Sequence, residues 1–451
     1  MRKLLAAAAA LAPLMVATGV QAEVVISNTR TTPIQTSNAT GTAADAIRLA
    51  SGGRIEVTSG AAVTVDSNHS VDLDSGSTIT MNNSASGSTG ILVNGGTTAN
   101  ITIGGAITVI DANAAATDTD GDGDLDGQFA AGSDRAGLRV VGAQPVTGSI
   151  LMENGSSIGV RGNDSYGILL QSGLIGDMKL FGSVTVTGDN SYGVRTTGPV
   201  SGSVLVSGGS INTNGANAVG VAVDGNVGGR VQIQGGVSTT GYRYTTAPTS
   251  GVGFTNVPKE TLVLENLDAD DLLQNGPAVR IAANVGGGVL LGAAPTTLVA
   301  TGDDDGDGVK NGDEDDDGDG TKNADDTDRD GDGILDASEG TSALTSIGGA
   351  AALQIGSTTS AVTVGVLGAG DLNYGLVNEG SITGTGVYAD VDARAVQIGG
   401  LGQSTTIAGG IRNAGAITAS ANTADATAIE LGAGATTPSF VNSGTVLAQS
   451  Q

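Results

Sequence analysis

Asn163-Asp164-Ser165-Tyr166-Gly167 is followed by Asp189-Asn190-Ser191-Tyr192-Gly193 and then by Ala216-Asn217-Ala218-Val219-Gly220, at spacings of 26 and 27 residues. Each unit is a short polar turn, then a large side chain, then glycine. Short alternating segments accompany them: Val184 and Val186, then Val204 and Val206, then Val231 and Ile233. A period of two turns one face of each segment inward. A fixed period of this length, with one short apolar stripe per unit, belongs to stacked coils in which each coil buries its stripe against its neighbours.

A second repeat fills the end of the chain, where Asn378, Gly380 and Ile382 recur as Asn413, Gly415 and Ile417 and again as Asn442, Gly444 and Val446. Between them lie Val396, Ile398, Gly399 and then Ile429, Leu431, Gly432. Stacking would place the asparagines in a ladder that hydrogen-bonds turn backbone left without a strand partner. The fold predicted is all-β: a right-handed parallel β-helix, or solenoid, with acidic calcium-binding loop inserts.

Composition agrees. The chain has 75 Gly but four Phe, six Tyr and no Trp, which suits short strands between turns rather than a compact aromatic core. It has no Cys, so no disulfide braces it, and a net charge of −27 argues against nucleic-acid binding, which needs a basic patch. Arg2 and Lys3 precede an apolar run from Leu4 towards Val20, and small residues follow to Ala22, which reads as a secretory signal cleaved after Ala22. The reading therefore divides the chain into a signal peptide over 1–22; β-helix over 23–110, 137–238, 276–300 and 342–451; an acidic calcium-loop insert over 111–136; a loop insert over 239–275; and tandem calcium-binding repeats over 301–341. The insert at 239–275 carries Tyr242, Tyr244, Phe254 and a helical turn from Leu267 to Leu273, and is expected to pack back on the solenoid.

The tandem repeats carry the chemistry. A twelve-residue pattern places Asp303, Asp305 and Asp307 at positions one, three and five, Gly308 at six, Asn311 at nine and Glu314 at twelve. The second copy reads Asp315, Asp317, Asp319, Gly320, Asn323 and Asp326, and the third Asp328, Asp330, Asp332, Gly333, Asp336 and Glu339. Calcium takes six to eight oxygens at about 2.3 to 2.6 Å, supplied in such loops by alternate carboxylates, the position-seven carbonyl and a closing carboxylate, with glycine at six for the bend. The position-seven residues are Val309, Thr321 and Ile334. The shorter Asp326 should make the middle site the weakest. An isolated earlier copy has Asp118, Asp120, Asp122, Asp124 and Asp126, but Phe129 at position twelve. Residues 303–339 hold 17 Asp and Glu against Lys310, Lys322 and Arg329, more than half the net charge of the chain.

No long amphipathic helices flank these loops, so an EF-hand pair is not expected. The tandem resembles thrombospondin type 3 repeats, in which the chain winds around a row of calcium ions, although it lacks their disulfides. Taken with the signal peptide, the absence of Cys and the Gly-, Thr- and Asn-rich repeats, the mature chain resembles the passenger region of Gram-negative autotransporters. That resemblance implies export through the inner membrane and display at the cell surface, on the outer membrane or outside the cell. Such proteins end in a translocator β-barrel with aromatic girdles, and no stretch of this sequence is expected to form one.

Two functions compete. The first is a non-catalytic surface or adhesin-like protein, stiffened by calcium ions, whose partner is a host or neighbouring-cell surface or a polysaccharide. The second is a calcium-dependent β-helical polysaccharide lyase or hydrolase, for which calcium would bind substrate uronates and a Lys or Arg would act as base. His69 is the sole histidine and no Ser, His and Asp constellation can be assembled around it, so an enzyme is not expected.

Overall fold

A computed structural model describes residues 23–112, 117, 126–245, 272–295, 298–302, 308–315, 320–329, 335–336, 339–368 and 373–450. The expected signal peptide, Phe254 and most of the expected helical turn after Leu267 lie outside these residues. The described chain is nearly all strand, with one short 3-10 turn at Thr36–Asn38. Every pairing between strands is parallel, in a 22-stranded sheet, an 11-stranded sheet and two small sheets of two and three strands. No helix among the described residues is long and apolar enough to cross a membrane.

Register follows the sequence repeat. Tyr166 pairs with Tyr192 and Tyr192 with Val219 in the 11-stranded sheet. In the large sheet Ile158 pairs with Val184, Val184 with Ile211, Ile211 with Val237, and the row continues through Leu344, Ile382 and Ile417 to Val446. Isolated parallel bridges join Leu174, Val200, Val227, Val285 and Val364 into a third row. Strand pairing crosses the inserts without slipping, since Val231 pairs with Val289 and Val289 with Leu376. Long parallel sheets with this repeating register are compatible with a solenoid.

One apolar cluster runs from Ile26 to Ala428, made largely of Ile, Val and Leu whose neighbours along the strand alternate outward. β-branched side chains suit this surface because their stiff χ1 packs well on a pleat. Glycine after each tyrosine has a steric cause: a Cβ on Gly167 would overlap Val184 and the carbonyl oxygen of Gly193. The asparagine ladder is present. Asn378 Nδ2 donates to Asn413 Oδ1 and Asn413 Nδ2 to Asn442 Oδ1, each at 2.7 Å, and the same amides reach the backbone oxygens of Ala416, Gly415 and Gly444. These side chains thus bond one another as well as the turn backbone. The row starts at Asn378, because the preceding strand offers Leu291 there.

Four of the ten aromatics form two ring pairs. Tyr242 is fully buried against Tyr388, ring edge to face at 4.9 Å between centroids, so the described start of the 239–275 insert packs back on the sheets. Tyr166 and Tyr192 stack at 5.6 Å along the outer face of the 11-stranded sheet.

Candidate metal centre

The four acidic loops close in the same way. The backbone N–H at position nine donates to the carbonyl just before position one: Asp126 to Thr117 at 3.0 Å, Asn311 to Gly302 at 2.9 Å, Asn323 to Glu314 at 2.8 Å and Asp336 to Thr327 at 2.8 Å. Each closure brackets the eight residues of positions one to eight. The bend inside the ring needs glycine. Gly308 and Gly320 both have φ of +95°, where an L side chain is strained, and a Cβ on either would touch nothing within 4 Å.

Successive loops of the tandem are tied to one another. Gly312 N–H donates to Ala300 and Ala324 N–H to Gly312. The position-nine amides repeat the tie with their side chains: Asn311 Nδ2 donates to the Val299 carbonyl at 3.4 Å and Asn323 Nδ2 to the Asn311 carbonyl at 2.9 Å. Both asparagines are buried. In the third loop Asp336 replaces asparagine, and its carboxylate pairs with Arg329 instead. Position nine is therefore partly a structural position, a role the spacing alone did not reveal.

Other expected ligands are placed as follows. The Asp315 carboxylate, at position one, accepts the Gly320 N–H at 3.0 Å and so already folds into its loop. Val309 is exposed, and Glu314, Thr321, Asp326 and Asp328 are half-buried or nearly so. Asp326 accepts the N–H of Asp328 at 2.9 Å. Glu339 accepts from Gln234 Nε2 at 3.2 Å, which ties the end of the third loop to the large sheet. Lys322 holds the exposed Asp313 carboxyl below its ordinary range through a 2.7 Å ion pair. Asp303, Asp305, Asp307, Asp317, Asp319, Asp330, Asp332, Ile334, Asp118, Asp120, Asp122 and Asp124 lie outside the described residues. Among the described residues no group of three or more His, Asp or Glu side chains converges.

Among the described residues, the loops are closed at position nine and the two position-six glycines take the conformation that a calcium loop's bend requires. The departure at position twelve of the isolated loop also has a physical reason. Phe129 lies 4.6 Å beneath the Arg243 guanidinium, which also donates to the Gly127 carbonyl. The side chain there joins this loop to the next insert. Its base is held by buried Asp111, which pairs with Arg161 and accepts the Ala131 N–H, and by buried Arg135, which donates to Ser84.

His69 is half-buried, and its Nδ1 lies 3.0 Å from Ser67 Oγ. The neighbouring Asp66 does not orient it: its carboxylate accepts from the Ser37 N–H and hydroxyl and lies within 3.2 Å of the Thr36 hydroxyl. No known protein family, curated protein or solved structure matches the chain.

Proposed function

We propose that this chain is a non-catalytic, exported surface protein of the autotransporter-passenger type. Its spine is a right-handed parallel β-helix that supplies reach, and its acidic loops are braced by calcium. The observation that carries this reading is the position-nine closure shared by all four acidic loops. A solvated acidic linker has no reason to repeat one ring closure four times, or the same glycine conformation twice.

The carboxylates of residues 303–339 repel one another, and calcium bound among them supplies the neutralising charge. Oxygen cages in extracellular modules bind calcium at about 0.1 to 1 mM, and a ligand at 100 times its dissociation constant adds about 2.7 kcal/mol per site. Against a hydrolase of the Ser, His and Asp type stands the commitment of Asp66 to Ser37 and Thr36, which leaves the Ser67 and His69 pair without an orienting acid among the described residues. Calorimetric titration of the mature chain with calcium tests the site. About three sites are expected from the tandem, and replacing Asp305, Asp317 and Asp330 by Ala should remove their heat. An unchanged titration would overturn the ligand assignment.

A further inference from the structure

The outer face of the 11-stranded sheet carries a cleft that the calcium reading does not use. In register along this face stand Arg139, Leu169, Arg195, Ala222, Arg280, Gln354 and Gln397. Around Arg195 and Arg280 opens a cleft of roughly 460 Å³, walled by Gly356 to Ser360 and by Leu401. Its floor is rigid. Asp224 accepts from Arg195 Nε at 2.8 Å and from Arg280 Nη2 at 2.8 Å, and the Tyr192 ring lies 4.4 Å from one guanidinium and 5.5 Å from the other. Tyr166 stacks behind Tyr192, and Ser357 Oγ accepts the Thr359 and Ser360 N–H groups to shape the wall.

The floor has more donors than acceptors. Arg195 gives only Nε to Asp224, and its two terminal amino groups make no hydrogen bond among the described residues. Arg280 gives Nε and Nη2 and keeps Nη1. Two guanidinium groups against one carboxylate leave one positive charge in a cleft of a strongly acidic protein. A planar fork of unused N–H donors matches a carboxylate better than a hydroxyl. The hydroxyls of Thr358, Thr359 and Ser360, the amide of Gln354 and the apolar rim of Leu401 suit the remainder of a sugar ring.

We infer that this cleft binds a uronic-acid unit of an acidic polysaccharide, its carboxylate on Arg195 and Arg280. The inference names a partner for the surface-protein reading and rests on that reading for where the polymer is met, but the binding itself requires no metal. Titration of the mature chain with a hexameric oligogalacturonate, in chelator and again with calcium, tests it. Binding should be seen in both. Arg195→Gln should weaken it by about tenfold, the loss of one bidentate charge-assisted contact, with Arg195→Lys intermediate. Thr358→Trp, on the exposed wall, should block the cleft while leaving the unfolding temperature unchanged, and a methyl-esterified oligomer should bind about tenfold more weakly. No binding at millimolar oligomer, binding only with calcium, indifference to both Arg195→Gln and Thr358→Trp, or equal affinity for the ester would each overturn the inference. Loss of calcium heat alone would instead strike at the loop assignment.

Discussion

The stacked strands and the acidic loops are built on the same economy of repeats, but they solve the problem of order differently. A strand such as Ser183–Thr187 finds backbone partners on both sides and buries Val184 and Val186 completely. Everything that orders it is supplied by the chain. A loop such as 303–314 has its ring closure and a few ties to its neighbour. Its carboxylates oppose it, since two charges about 5 Å apart repel by roughly 3 kcal/mol at an effective dielectric near 20. In the proposed reading, one repeat is complete in itself while the other is completed by a counter-ion.

Three substitutions probe that contrast. Ile168→Ala, in the fully buried interior, should cost about 2 to 5 kcal/mol and lower the thermal midpoint without changing calcium heat per folded molecule. A parallel loss of calcium binding would show that the two regions are not separable. Asn413→Ala removes a fully buried amide that bonds both neighbouring asparagines and should cost about 1 to 3 kcal/mol, read by denaturant unfolding. A smaller cost would mean that the ladder is incidental to the stack. Gly308→Ala has the smallest effect: no atom obstructs the new Cβ, so only the positive φ resists it, at about 1 kcal/mol. It should weaken the first calcium site by roughly fivefold, by calorimetry, and leave the spine unfolding where it was. No change would mean that the bend is not part of the site.

Much of the spine was legible because its period is written twice. Tyr166, Tyr192 and Val219 pair in register, and Asn378, Asn413 and Asn442 stack, because near-identical rungs demand near-identical residues. The first rungs were harder. Ile47, Val71 and Ile101 pair in register, but their turns share no residue signature, so only the alternation of apolar positions marked them. The period of the loops was legible in the sequence, but not the role of position nine, where the buried amides of Asn311 and Asn323 brace the preceding turn.

What stayed hidden depends on distance along the chain. Arg280 reaches Asp224 and Tyr192 because strand pairing resumes in register after the 239–275 insert. Phe129 at position twelve looked like a defect because Arg243, its partner, belongs to another insert. With the register in hand, the row Arg139, Leu169, Arg195, Ala222 and Arg280 could have been aligned from sequence and its basic character seen.

Hydrogen exchange of the mature chain, followed peptide by peptide with calcium and with chelator, tests the contrast most directly. Protection across the rungs from Ser157 to Thr240 should be the same in both conditions, while residues 301–341 should be protected with calcium and exchange freely without it. Equal exchange of residues 301–341 in the two conditions would contradict the account.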